Sequence, residues 1–136
     1  MYQPQRAATS QHLPVRTLSY HVRTWGQPQP DSVPLVLVHG WMDVSASWQF
    51  VVDAFSQAFA QGRQIIAPDW RGFGLSPMPA PCDNYHYADY LGDLDALLRH
   101  CVPDGGPVDL VGHSMGGNVA MFYAGARPAR IRRPCC

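Results

Sequence analysis

The sequence has 136 residues, of which 46% are hydrophobic, and this is enough for one modest domain with a buried core. Its ten basic residues are all Arg and its ten acidic residues are all Asp, so the formal net charge is zero. Four arginines crowd residues 127–136, but no aromatic residues are interleaved with them for base stacking. We therefore expect no nucleic-acid partner.

Membrane insertion is not expected either. No apolar run approaches the roughly 20 residues needed to span a bilayer, and residues 1–14 lack the apolar stretch of a signal peptide. A cytoplasmic location is the default expectation. The four cysteines show no metal-ligand spacing, and two of them are neighbours at the end of the sequence, so we predict free thiols and no metal site.

The first part of the chain is weakly patterned. Residues 1–13 are polar, and we predict a disordered leader there. From Val15 to Trp25 the apolar residues partly alternate with polar ones, which favours a strand, and residues 27–34 form a proline-rich loop. Residues 35–38 read LVLV, a continuous apolar run typical of a parallel strand buried on both faces.

This buried strand stops at His39, Gly40 and Trp41. Apolar residues then recur at helical spacing from Trp48 to Phe59, so the pattern predicts one helix, capped by Ser45 or Ser47 and ended by Gly62. Residues 64–67 read as the next strand. They lead into DWRGFGLS at residues 69–76 and a proline-rich stretch, which together predict a loop.

A second helix is predicted from Asn84 to Cys101, because its apolar residues keep helical spacing, with Asp83 or Asn84 as the N-cap. Asp93 and Asp95 fit the polar face of this helix. The remaining histidines outside the motifs, including His12 and His21, have no partner that the sequence identifies. Another apolar strand follows at residues 108–111.

That strand leads into GHSMGG at residues 112–117, and helix-forming residues follow, so Ser114 falls at a strand-to-helix turn. Such an abrupt turn strains the backbone of the serine, and side chains two residues to either side would collide, which explains Gly112 and Gly116. The next backbone N–H, from Met115, lies in the first turn of a helix, where it lacks an intrahelical partner and the helix dipole favours negative charge. The serine hydroxyl is therefore displayed beside a candidate anion site.

Strands alternating with helices predict an α/β fold, a parallel sheet with helices on both faces. Ligand sites in such sheets open at the carboxyl ends of the strands. Three stretches meet at that edge: residues 39–41, 69–76 and 112–117.

The G-x-S-x-G pattern in this context resembles the nucleophile elbow of the α/β-hydrolase superfamily. The resemblance implies Ser114 as the catalytic nucleophile and the N–H groups of Met115 and Trp41 as the oxyanion hole. It also implies Trp41, Met42 and Met115 as walls of the substrate pocket, and no cofactor. The stretch at residues 69–76 resembles the family's D-x-R-G-x-G-x-S loop, in which Asp69 and Arg71 would pair with each other or bond backbone groups as scaffold.

The catalytic acid and base of this family follow the serine along the chain, yet no Asp, Glu or His occurs after Ser114. His113 is not the expected base, because neighbouring residues leaving a strand point to opposite faces. The resemblance therefore covers residues 14–131, the N-terminal part of a hydrolase domain, and residues 132–136 read as an atypical tail that leaves the elbow strand with an open edge. We expect a truncated, inactive chain.

Two functions remain open from the sequence. One is a serine hydrolase acting on a small ester or related acyl substrate; serine at the elbow argues against the epoxide hydrolase and haloalkane dehalogenase branches, which use aspartate. Amidase, carbon–carbon bond hydrolase, acyltransferase and haloperoxidase branches stay open. The other is a non-catalytic remnant or binding module. A separate chain that carries the missing half is a further possible partner.

Overall fold

The computed structural model describes residues 1–136 and contains one six-stranded mixed sheet. Its spatial order is β1-β2-β4-β3-β5-β6. The first two strands run antiparallel to their neighbours, and the other four are parallel to one another. The strands are β1 (Thr9–Val15), β2 (Leu18–Trp25), β3 (Leu35–Val38), β4 (Ile65–Pro68), β5 (Val108–Gly112) and β6 (Ile131–Cys135).

Four helices cover the two faces of this sheet: α1 (Trp48–Ala54), α2 (Gln57–Ala60), α3 (Tyr87–Cys101) and α4 (Met115–Ala126). Strand β3 shows the division, since Val36 and Val38 pack in the larger core cluster with α3 and α4, while Leu35 and Leu37 pack in the smaller cluster with α1. The predicted α/β sheet with helices on both faces is confirmed, with two antiparallel strands added at one edge. No helix has both the length and the apolar character that crossing a bilayer requires.

The N-terminal residues differ from the expected disordered leader. Strand β1 begins at Thr9 and pairs in continuous register with β2 as far as the Val15–Leu18 pair. Upstream of it, the Arg6 guanidinium donates to the carbonyl of Val52 at 2.5 Å, at the end of α1. The expectation of disorder through residue 13 is wrong, because β1 is held by backbone pairing to β2 rather than by apolar side chains that a pattern would show.

The segment between β3 and β4 also differs from the single predicted helix. Phe55 takes an extended conformation after α1, and Ser56 then caps α2 by accepting the N–H of Phe59 at 3.2 Å. Ser47 makes no side-chain cap. The rings of Phe55 and Phe59 still meet edge to face, with centroids 4.8 Å apart, so the contact expected from their helical spacing survives a break in the helix.

The end of the chain is strand β6 rather than a tail. It pairs in parallel with β5, with a register shift between Val108 and Asp109, and so covers the edge of β5 that the sequence left open. The Arg132 guanidinium donates to both carboxylate oxygens of Asp109, at 2.9 and 2.5 Å. The expectation of an unpaired elbow strand was wrong, because an arginine-rich, proline-containing segment gives no apolar strand signal. The edge of the sheet on this side is β6, where Pro134 has no N–H to offer a further strand.

Candidate active site

Ser114 lies at the turn between β5 and α4 with φ 54° and ψ −119°. A positive φ is rare for a residue with a side chain and is tolerated only where the surrounding structure enforces it. Its side chain is exposed, and its hydroxyl makes no hydrogen bond with any other group of the chain. The strained, displayed serine that the sequence predicts is therefore present in the backbone geometry.

The glycines two residues to either side of Ser114 are required by close backbone contacts. A Cβ on Gly116 would lie 2.3 Å from the carbonyl oxygen of Val38, and a Cβ on Gly112 would lie 2.4 Å from the carbonyl oxygen of Gly116. Real side chains do not approach so closely, so helix α4 is able to begin directly against the ends of β3 and β5 only because both positions lack a Cβ.

The turn at residues 39–41 packs against this elbow. A Cβ on Gly40 would lie 3.1 Å from the Cβ of Ser114, so the two backbones are nearly in contact. The N–H of Trp41 makes no hydrogen bond within the chain, and the N–H of Met115, as the first residue of α4, has no intrahelical acceptor. Two free main-chain donors therefore belong to the segments that flank the serine.

His39 fixes the shape of that turn. Its Nε2 accepts the backbone N–H of Trp70 at 2.9 Å, and its Nδ1 donates to the carbonyl of Gly40 at 2.7 Å. The indole N–H of Trp70 donates a hydrogen bond of 2.9 Å to the carbonyl of His39. Burial lowers the pKa of His39, so its ring is neutral and serves as a structural link between the ends of β3 and β4.

Asp69 is the organising acid of the loop at residues 69–76. Its carboxylate accepts the N–H of Ser45 at 2.6 Å, the N–H of Leu75 at 2.9 Å and Nδ1 of His21 at 2.8 Å. Burial alone would raise the pKa of Asp69, but these hydrogen bonds outweigh it and hold the pKa below its usual value. Gly74 is required beside it, because a Cβ there would lie 2.3 Å from the Asp69 carboxylate.

Arg71 pairs with Asp93 rather than with Asp69. The guanidinium makes two bonds to the Asp93 carboxylate, at 2.6 and 2.7 Å, and the Tyr20 hydroxyl donates to the same carboxylate at 2.6 Å. Asp93 is completely buried, so its interpretation as part of a polar helix face was wrong. Its partners come from β2 and from the loop, and no local pattern in α3 reveals them.

A pocket of about 310 Å³ opens beside Ser114. Of the expected walls, Trp41 and Met115 line it, whereas Met42 does not and is 81% exposed. The sequence did not identify the other lining residues, which are Tyr85, Tyr87, Tyr90 and Asn118. The three tyrosines precede or begin α3, where their spacing reads only as helix.

No histidine or aspartate of the chain hydrogen-bonds to the Ser114 hydroxyl. His113 is exposed and its ring makes no hydrogen bond, although its Nδ1 lies 3.1 Å from the position of a Cβ on Gly40. No group of three or more His, Cys or acidic side chains is arranged to hold a metal ion. The described residues thus supply a serine and free amides, but no base.

Comparison with known proteins places this geometry in a family. The family model for the alpha/beta hydrolase fold matches residues 33–133, which include the turn after β3, the loop at residues 69–76 and the elbow. The chain belongs to the α/β-hydrolase family. The resemblance inferred from the sequence motifs is confirmed.

Relatives in this family carry different activities in their names. A serine hydrolase-like protein of Dictyostelium discoideum is 30% identical over an alignment of 117 residues, which covers 84% of this chain and 30% of that protein. An epoxide hydrolase of Neurospora crassa is 28% identical over 82% of this chain and 34% of its own length. The thioesterase domain from the curacin biosynthetic pathway matches with a TM-score of 0.79 and 28% identity, covering 93% of this chain and 42% of that domain. The α/β-hydrolase chain described here thus spans about a third of the length of these curated relatives.

Proposed function

We propose that this α/β-hydrolase chain carries the nucleophile and oxyanion hole of a serine hydrolase that cleaves an ester or related acyl substrate. The observation that carries the proposal is the strained Ser114, exposed at the start of α4 and packed against the turn at residues 39–41. Relatives named as hydrolase, epoxide hydrolase and thioesterase support hydrolytic chemistry. Among these, a serine at the elbow supports acyl transfer over the epoxide branch, which uses aspartate.

In this mechanism the Ser114 oxygen attacks the substrate carbonyl and forms a tetrahedral intermediate. The negative oxygen of the intermediate is held by the N–H groups of Trp41 and Met115, which have no other acceptor. Collapse of the intermediate releases the leaving group and gives an acyl-serine, which water then hydrolyses. Because both donors belong to the backbone, they remain in place whatever side chain occupies these positions.

The substrate class follows from the lining of the pocket beside Ser114. Four of its seven residues are aromatic, and none carries a charge: Trp41, Tyr85, Tyr87, Tyr90, Ser114, Met115 and Asn118. Trp41 and Tyr85 meet edge to face, with ring centroids 5.0 Å apart. Such a wall favours an uncharged apolar or aromatic acyl group, because burial of a charge there would find no partner.

The proton of Ser114 has no acceptor among these 136 residues, so the proposal assigns the base and its orienting acid to a segment outside them, in the same polypeptide or in a complementing chain. A triad serine deprived of its histidine loses on the order of 10⁶ in turnover. We also propose a cytoplasmic location, which the four free cysteines support.

The test is covalent labelling with a fluorophosphonate probe followed by trypsin digestion. Residues 100–130 form one tryptic peptide with Ser114 as its sole serine, so mass spectrometry reports that site alone. Since the oxyanion donors alone leave an acceleration on the order of 10³–10⁴ over water in a triad enzyme without its base, we expect a probe adduct on this peptide. The adduct should be lost in Ser114→Ala and retained in the control Ser47→Ala, which removes another exposed serine.

Failure of Ser114 to react faster than Ser47 would contradict the proposal and favour the alternative of a non-catalytic binding module. A gain in p-nitrophenyl ester hydrolysis, when a chain that supplies the downstream strands of a relative is added, is the expected result for complementation. No gain would rule out a separate complementing chain.

A further inference from the structure

A second serine, on the edge strand β1, contacts a histidine that in turn contacts an aspartate. The Ser10 hydroxyl on β1 lies 2.7 Å from Nε2 of His21 on β2. The other ring nitrogen of His21 lies 2.8 Å from the carboxylate of Asp69. Nucleophile, base and orienting acid in hydrogen-bond contact are the geometric signature of an activated serine, whatever their order in the chain.

The pairing of β1 with β2 creates this arrangement. Ser10 lies opposite Arg23 and His12 lies opposite His21, so Ser10 and His21 are diagonal neighbours on one face of the hairpin. His21 is 1% exposed, whereas Ser10 is on the surface. The hydroxyl is thus accessible to solvent, while the imidazole behind it is shielded.

The hydrogen bonds around Asp69 define the direction of the proton relay. The Asp69 carboxylate already accepts two backbone N–H groups, from Ser45 and Leu75, and these hydrogen bonds favour its ionised form. With the Asp69 carboxylate facing it, Nδ1 of His21 is the nitrogen that carries the proton of the neutral ring, and Nε2 is then the acceptor that faces the Ser10 hydroxyl. This is the protonation state that a general base for Ser10 needs.

We propose that Ser10, His21 and Asp69 form a second reactive serine site, which accepts a group from small activated acyl or phosphonyl donors. With a fluorophosphonate, the bond from the Ser10 oxygen to phosphorus forms as the phosphorus–fluorine bond breaks, and the hydroxyl proton passes through His21 Nε2 to the departing fluoride. Ser10 lies on an edge strand and has no aromatic pocket like the one beside Ser114. The site would therefore accept a small transferred group, and it has no surface that would recognise an extended substrate.

The experiment uses the Ser114→Ala chain, so that its result is independent of the proposed hydrolase site. Trypsin releases residues 7–16 with Ser10 and residues 17–23 with Ser19, which gives each serine its own peptide. Ser19 is an exposed serine on the adjacent strand without a histidine contact, and it serves as the internal reference. We expect Ser10 to react with a fluorophosphonate about 10²-fold faster than Ser19, the lower range of general-base assistance.

His21→Gln should bring the Ser10 rate down to that of Ser19, while His12→Gln, which replaces the neighbouring histidine 5.4 Å from His21 between ring centroids, should leave it unchanged. A Ser10 rate less than about tenfold above that of Ser19 overturns the proposal, and so does an undiminished rate in folded His21→Gln. Should circular dichroism show that His21→Gln is unfolded, labelling of the Ser114→Ala chain in concentrated urea decides instead. Loss of the Ser10 preference in urea supports the relay, and its persistence overturns it.

Discussion

Individual glycines determine how closely the elements around Ser114 approach. Gly116 is the strictest case, because the ideal Cβ position lies 2.3 Å from the Val38 carbonyl oxygen and 2.6 Å from the His39 carbonyl oxygen. Both neighbours are backbone atoms, which have no rotamer by which to move aside. Gly125, in the same helix, has no atom within 4 Å of its Cβ position apart from the backbone of its own helix. A side chain is therefore excluded at Gly116 and has room at Gly125, so the two positions can be compared within one helix.

Gly116→Ala should destabilise the fold by about 1–3 kcal/mol, the usual cost of overpacking, because α4 must move away from β3. Gly125→Ala should instead stabilise it by about 0.5–1 kcal/mol, because alanine restricts the unfolded chain and favours helix. Urea unfolding of both variants and the parent measures the two changes. Equal stability of the two variants would show that the contact with β3 does not constrain α4.

The sequence could predict only those site residues that lie close together along the chain. Ser114, Gly112 and Gly116 lie within five residues, so a local motif was enough to place them. His21 and Asp93 could not be found in this way, because His21 meets Asp69 across 48 positions and Asp93 meets Arg71 across 22. Their partners are brought together only by the sheet order and the position of α3.

At the level of elements, β6 is attached to the sheet by charge as well as by backbone pairing. The Asp109 carboxylate on β5 accepts hydrogen bonds from the guanidinium groups of Arg132 on β6 and of Arg63 in the turn before β4, the latter at 3.0 Å. Burial alone would raise the pKa of Asp109, but the hydrogen bonds from both arginines hold it below its usual value. Arg133, the next residue of β6, makes no ion pair.

Arg132→Ala should loosen β6 while leaving Asp109 paired with Arg63. We expect amide hydrogen exchange in residues 131–135 to accelerate about two- to fivefold, the range for a partly exposed ion pair. Arg133→Ala is the control and should leave these exchange rates unchanged. Equal acceleration in both variants would mean that general loss of charge, and not the pair with Asp109, controls the edge strand.

Elements differed in how well the sequence predicted them. β3 and β5 were predicted closely, because a strand buried on both faces must be a continuous apolar run. β1 and β6 lie at the two edges of the sheet, where one side of each strand meets solvent and polar residues are tolerated. Their existence depends on a paired neighbour and not on their own composition.

For the whole molecule, acid should weaken the fold in two stages. Burial lowers the pKa of His39 below its ordinary value near 6.5, so the unfolded chain binds this proton first. The stability that neutral His39 confers is complete above about pH 6.5 and is lost as the pH falls below that value. Asp69 and Asp109 also have lowered pKa values, so their contribution is complete above about pH 3.9 and is lost below it.

Urea denaturation at pH values from 7.5 to 3 should therefore show a decline in the free energy of unfolding near pH 6 and a second decline below pH 4. His39→Asn should remove the first decline, and His100→Asn, at an exposed position of α3, should retain it. A first decline of the same size in both variants would assign it to another group.

The three hydrogen bonds to the Asp69 carboxylate have a consequence for the pocket beside Ser114. They come from β2, from the 3₁₀ turn at Ser45–Ser47 and from the loop itself, so this carboxylate joins parts of the chain that are distant in sequence. The loop at residues 69–76 backs the pocket beside Ser114, because its Phe73 ring packs against Trp41 and Tyr85, and its shape depends on the N-terminal hairpin through these bonds. We therefore expect proteolytic loss of that hairpin to disturb the pocket beside Ser114, although no hairpin residue lines the pocket.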